Sequence, residues 1–424
     1  MCFAARERRN PCRTNLNDNK VDMPQPHPRL AILGSGPTGL EAALAATDQG
    51  RPFTVYEAAH RTAAHVRAWG HVRLFTPWSM NVSDRMARHL AAAGVPVPEG
   101  DDCPTGDELC DRLLDPLAAL PEVAPTIRYD ARVTSVGRRG LLKHEEIATT
   151  SRGSQPFRLL VTSADGDEQL HEADVVLDCT GTYSHPNSIG DGGIPAAGER
   201  GLEDRIRRTV PNVSAEAGEW AGKTVLVVGA GHSAQTAAAE LATFARSHPG
   251  TEVVWAVRST NPAWGEVADD TLPQRAALVA RSQQLAEGGE AAVRVERGVV
   301  VEALADRDGR VAVTLRNGST SEVVVDRVLS LTGAVGDASL YRQLQIHECY
   351  ATGAPINLSA ALLGAAGGDC LHQESHGIDV LRNPEPNFFI LGAKSYGRVS
   401  QYLLRVGWEQ VDEVFGALAA ASDG

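Results

Sequence analysis

Two glycine-rich turns carry the residue types and spacing needed to hold a pyrophosphate. The first reads Gly34-Ser35-Gly36-Pro37-Thr38-Gly39 after the apolar run Leu30 to Leu33, and the second reads Gly229-Ala230-Gly231-His232-Ser233-Ala234 after Val225 to Val228. A short buried strand must turn sharply into a helix at each. The first Gly allows the bend, the second lets the backbone approach a phosphate, and the third small residue, Gly39 or Ala234, lets the helix pack on the strand. The anion would then meet free N–H groups and the positive end of the helix dipole. One such turn is common in ordinary loops; two in full strand-turn-helix context point to two dinucleotides on one chain.

The strand after each turn separates the two ligands. Phe53 to Tyr56 is followed by Glu57, close to the roughly 20-residue offset at which an acid binds ribose hydroxyls, whereas Glu252 to Val257 is followed by Arg258, Ser259 and Thr260. A carboxylate repels a 2′-phosphate and a guanidinium binds it. The first turn therefore reads as a site for adenosine without a 2′-phosphate, and the second as a site for NADPH. Residues 69–81 add Trp69, His71, Arg73, Phe75 and Trp78 in a chain that is only 5% aromatic, which suggests a pocket wall or a packed loop. The buried run 173–181 ends in Thr180-Gly181, suited to close backbone approach to a cofactor.

Composition limits what else the chain can be. Its 424 residues exceed what one hydrophobic core supports, so two domains are expected. A net charge of −13 without a basic block argues against nucleic acid or an anionic membrane as partner. No apolar run reaches the length of a membrane span, and the cytoplasm is the expected location. The seven cysteines are irregularly spaced, with no C-x-x-C or C-x4-C pair, so neither a disulfide framework nor a redox dithiol is expected. Metal-ligand spacing is absent, and the expectation is no metal.

Along the chain, residues 1–27 read as a disordered tail. A βαβ unit runs from Arg29 to Glu57, followed by an irregular stretch to about 103 and a helix over 105–120. Strands are expected over 127–136, 157–161, 173–181, 293–301, 311–315, 323–333 and 387–392, and helices over 272–287 and 399–420. The expected class is α/β, with two Rossmann-like dinucleotide-binding domains, the second inserted in the first. The boundaries are 28–204 and 326–424 for the first domain, and 205–325 for the NADPH-binding one.

Together, these motifs resemble the two-dinucleotide-binding-domain flavoproteins, and within them the class B flavin-dependent monooxygenases. The resemblance covers about 29–420. It rests on Gly34, Ser35, Gly36, Pro37, Thr38, Gly39 and Glu57, on Thr180 and Gly181, on Gly229, Gly231, His232, Ser233, Ala234 and Arg258, and on the turn Gly392-Ala393-Lys394-Ser395-Tyr396-Gly397-Arg398. It implies FAD at the first turn and NADPH at the second. Ala393 stands where reductase relatives carry an Asp. The F-x-G-x-x-x-H-x-x-x-[WYF] fingerprint of better-known subfamilies is missing before the second turn.

The resemblance further implies that a peroxyflavin oxygenates N, S or a metalloid of a small molecule, with Asn81 as the nearest match to an active-site Asn. Trp78, Arg73 and Tyr396 complete the candidate catalytic set. Lys394 reads either as a cofactor- or substrate-facing charge or as a solvated basic turn. Two alternatives stay open: an NADPH:acceptor reductase for a quinone or small electrophile, and a redox-sensing flavoprotein. The expected partners are a small-molecule substrate and oxygen, with no nucleic acid and no membrane, and a homodimer is admitted as the assembly.

Overall fold

The computed structural model describes residues 28–147, 149–364, 375–400 and 402–421; the tail expected to be disordered, residues 1–27, lies outside them. Two parallel five-stranded sheets organise the chain. The first has the spatial order Phe388–Ile390, Val175–Asp178, Leu30–Leu33, Phe53–Tyr56, Ile127–Arg128. The second has the order Val293–Arg297, Glu252–Val257, Thr224–Val228, Arg327–Ser330, Ile206–Arg207. Every pairing within the two is parallel. Such strands are covered on both faces, which is why they read as unbroken apolar runs rather than alternating ones. Leu30–Leu33 is buried throughout.

The chain builds most of the first sheet, leaves to build the second, and returns with Phe388–Ile390. Each sheet also carries a three-stranded antiparallel meander just before one of its strands. Ala131–Arg138, Phe157–Ser163 and Glu168–Ala173 precede Val175–Asp178; Val300–Arg307, Arg310–Asn317 and Ser319–Val325 precede Arg327–Ser330.

The two glycine turns set how closely helix and strand pack. Gly34 has φ 95°, a left-handed conformation that glycine adopts without strain. A Cβ on Gly39 would lie 1.9 Å from the Gly34 carbonyl oxygen, so only hydrogen fits there. The helix Pro37–Asp48 consequently lies flat on the sheet with Leu40 and Leu44 buried, and joins the terminal helix Leu404–Ala420 in one core. In the second unit Ala234 is fully buried at the start of His232–Ala245.

Three expectations are corrected. The stretch before 103 is not irregular throughout: Asp84–Ala92 is helical, with the Ser83 hydroxyl accepting a 3.0 Å bond from Met86 N. The run 293–301 is two strands, because Gly298 turns the chain at φ 70°. The last helix begins at Leu404, not at 399. Tyr402 is drawn out of helical register towards Thr38, with 3.2 Å between the two hydroxyl oxygens.

Candidate functional site

A cavity of about 700 Å³ lies where the carboxyl ends of the two parallel sheets face each other. That is where open α/β sheets bind ligands. Its wall includes Gly34, Gly36, Pro37, Thr38 and Glu57 from the first unit and His232 and Ser233 from the second. Thr180, Gly181, Gly392 and Lys394 complete one side.

The two helices that follow the glycine turns open onto it and are left uncapped. Gly36 and Gly231 occupy the N-cap positions, neither helix has a side-chain cap, and neither has an acid in its first turn. Side-chain caps occur at Ser83 and in the capping box of Thr105 and Glu108, while most other described helices, Leu404–Ala420 among them, also lack one. The first N–H groups of a helix lack intrahelical partners and carry the positive dipole end, so an anion is the fitting complement. A Cβ added to Gly36 or Gly231 would meet nothing within 4 Å. Such a side chain would therefore occupy the space available to a ligand rather than clash with protein.

Glu57 is fixed at the end of its strand. Its carboxylate accepts from Ser35 N and Ser35 Oγ, both at 2.8 Å, and from Ala59 N at 2.9 Å. Arg258 lies away from the cavity at the exposed end of Glu252–Val257 and makes no hydrogen bond or ion pair with any described residue. Ser35, Gly39, Gly229, Gly231 and Ala234 are not among the cavity-lining residues: Gly39 and Ala234 are buried where helix meets strand, and Gly231 is exposed at its helix start. His232 packs edge-on against Phe75 with ring centroids 5.0 Å apart, and burial pulls its pKa down.

The candidate catalytic residues fare differently. Arg73 reaches the wall, but its guanidinium donates to the Cys103 carbonyl and faces Glu108 at 3.7 Å. Asn81 also lines the cavity, yet its amide braces its own turn. Nδ2 donates to the Thr76 and Pro77 carbonyls at 2.8 and 2.9 Å, and Oδ1 accepts from Thr76 Oγ1 at 2.8 Å. Trp78 and Tyr396 belong to the hydrophobic core instead. Tyr396 is fully buried, which pushes its phenol up to about 12, and its ring meets Tyr402 edge-on.

Lys394 is not a solvated basic turn. It is 2% exposed, with Nζ 2.6 Å from Asp178 Oδ2 and 3.1 Å from Thr180 Oγ1. Asp178 was not singled out from the sequence. The available signal was one acid ending a buried apolar run, a position where an unpaired carboxylate is costly.

No family model matches the chain. Among curated proteins, flavin-containing monooxygenase 3 of Macaca mulatta is 25% identical over 262 residues, 60% of this chain, and the match spans only 44% of that protein. Solved structures extend the likeness to nearly the whole chain. The bacillithiol disulfide reductase of Bacillus cereus superposes with a TM-score of 0.66 at 17% identity, covering 93% of this chain and 99% of its own. The fold is that of the two-dinucleotide-binding-domain flavoproteins. The cadaverine monooxygenase of desferrioxamine biosynthesis from Erwinia amylovora gives 0.64 at 13% identity, with 92% and 94% covered. The ornithine N-hydroxylase of Kutzneria sp. 744 gives 0.62 at 14%, with 93% and 100% covered. Oxygenases and reductases share this fold, so the fold alone does not choose between them. In sequence the chain resembles the class B flavin monooxygenases.

Proposed function

We propose that the chain is an FAD-dependent, NADPH-consuming monooxygenase that oxygenates a heteroatom of a small molecule. The observation that carries this reading is the single cavity joining two uncapped helix starts, one beside Glu57 and the other on the unit whose next strand ends at Arg258. FAD fits the first cradle. The Gly36 turn would take its pyrophosphate, Glu57 its ribose hydroxyls, and Thr180-Gly181 and Gly392 to Lys394 would contact it from the far side. NADPH fits the second, with Gly231, His232 and Ser233 at its pyrophosphate and Arg258 at its 2′-phosphate. On this reading the first domain comprises 28–204 with the residues after 330, and the second runs from 205 through Arg327–Ser330, which pairs with Thr224–Val228 and so carries it past the expected boundary at 325.

Bound FAD supplies the acceptor for the NADPH hydride and the route by which oxygen is activated. The chain's own part is binding, orientation and exclusion of water. Val72, Leu74, Phe75 and Leu272 give the cavity an apolar wall, which strengthens polar contacts inside it and limits unproductive loss of reactive oxygen. The monooxygenase names among the relatives, including amine N-hydroxylases, support nitrogen as the first heteroatom to test.

The test is NADPH oxidation under labelled oxygen with a panel of primary amines, thioethers and trivalent metalloid compounds. Transfer of one labelled oxygen to product per NADPH supports the reading. The likeness to disulfide and thioredoxin reductases favours a second, an NADPH:acceptor reductase. Fast turnover with a quinone and no labelled product with any substrate would establish that one instead.

A further inference from the structure

We infer that Lys394 is the cation that tunes the reduction potential of the bound flavin, and that Asp178 is the counter-ion limiting how much of that charge the flavin feels. This rests on the assignment of FAD to the first cradle. Asp178 ends the strand Val175–Asp178, aligned with Leu33 on one side and Ile390 on the other, so it stands mid-sheet at the carboxyl edge beside the Gly34 turn. Lys394 reaches it from the turn Gly392–Tyr396, which packs directly on the first glycine unit: a Cβ on Gly392 would lie 2.7 Å from Thr38 Oγ1.

The ammonium is built in rather than accommodated. Its side chain is 1% exposed yet borders the cavity. Two of its three N–H donors are satisfied, by Asp178 Oδ2 and Thr180 Oγ1. The third has no acceptor among the described residues, and the Tyr341 ring lies beneath the charge at 5.1 Å. An ammonium removed from water is costly unless it is paired, so a buried lysine held by Asp178 and Thr180 at the border of the cavity brings a fixed charge next to any ligand bound there. Thr180 Oγ1 donates to Asp178 Oδ1 at 2.7 Å, and Thr180 N approaches the same oxygen at 3.2 Å. The carboxylate therefore cannot swing away from the lysine. Of the acids lining the cavity, Asp337 lies on this side; burial opposes its charged form, but its bonds to Ser339 outweigh that and draw its carboxyl below the usual range.

A positive charge beside a flavin favours the reduced, more negative form and raises its potential. The two partners must therefore act with opposite sign. Lys394→Met should lower the potential, shifting the oxidised-to-reduced ratio about tenfold, or about 30 mV for a two-electron couple. Asp178→Asn should raise it, and Lys394→Arg should stay near wild type. The experiment is spectroelectrochemical titration of FAD-loaded proteins, with FAD content measured first. If Lys394→Met fails to fold, the Lys394→Met/Asp178→Asn double variant, which buries no unpaired charge, should still lie below wild type. A purely structural role would shift both single variants in the same direction or neither, and that result overturns the inference. Wild-type protein that cannot be loaded with FAD overturns the cofactor assignment as well, whereas loaded variants with unmoved potentials overturn only the role of Lys394.

Discussion

Lys394 Nζ and Asp178 Oδ2 lie 2.6 Å apart, with side chains 1% and 0% exposed, although 216 residues separate them in the sequence. The pair fastens the turn Gly392–Tyr396 to an interior strand of the first sheet. A buried ion pair is weak evidence of net stabilisation, because desolvating both charges offsets their attraction. Loss of one partner is another matter.

The first prediction follows from that asymmetry. Lys394→Ala and Asp178→Ala should each cost about 3–5 kcal/mol, since each strands a buried charge. The double variant should cost clearly less than the sum. Urea unfolding of the four proteins checks this, and additive losses would count against a coupled pair.

A second prediction separates the glycines of the first turn. Gly36→Val should leave the ligand-free fold nearly as stable as wild type, because a Cβ there meets no protein atom, but it should abolish FAD retention. Gly39→Ala forces contact with the Gly34 carbonyl oxygen and should lower the melting temperature even without ligand. Thermal melts beside flavin absorbance read both effects. A Gly36→Val protein that purifies with full FAD would refute the assignment of the first cradle.

Coenzyme choice should rest on the exposed guanidinium of Arg258. A charge-assisted contact contributes about 1.5–3 kcal/mol, so Arg258→Ala should reduce the preference for NADPH over NADH by roughly ten- to a hundredfold. Steady-state kcat/KM for both coenzymes measures it. Equal use of the two by the wild type would remove the role given to Arg258.

Stability should also depend on pH through Glu240, on the helix after the second turn. Burial pushes its carboxyl up to about 7, and its nearest basic group, His71 Nε2, is 4.0 Å away and itself shifted down by burial. An acid whose folded pKa lies above its unfolded value costs nothing while both states are protonated. The penalty grows as pH rises from the unfolded value towards 7 and is then constant. Glu240→Gln should therefore match wild type near pH 4.5 and exceed it at pH 8 by about 1–2 kcal/mol, after allowing for partial solvent screening. Denaturation at the two pH values decides it. A variant less stable than wild type at pH 8 would show that the charged form is stabilised instead.

Asn81 provides a fifth. Its amide makes three hydrogen bonds within the turn 76–81, so Asn81→Ala should destabilise the protein by about 2–3 kcal/mol. If activity falls in Asn81→Ala but stability does not, the amide acts on ligand rather than on its own turn.

Apart from the two-residue Ile206–Arg207, the strands of both parallel sheets were legible in the sequence, as were the two glycine turns, because their causes are local. A strand covered on both faces must be an apolar run, and a backbone that bends beneath a helix start needs glycine within a few residues. Glu57 and Arg258 stood out for the same reason, since each stands at a fixed distance from its turn, and the roles proposed for them rest on that local signal. What the sequence could not contain was the pairing of residues brought together by the return of the chain. Lys394 reads equally as a cofactor- or substrate-facing charge and as a solvated turn until Phe388–Ile390 joins the sheet beside Val175–Asp178 and sets it on Asp178. The late start of the last helix depends likewise on Thr38 meeting Tyr402 across the core. Trp78 and Tyr396 could not be sorted into core or cavity wall from residue type, because an aromatic ring suits either and only the packed neighbours decide. Local sterics determined the elements; long-range burial of charge and rings decided which residues face the cavity.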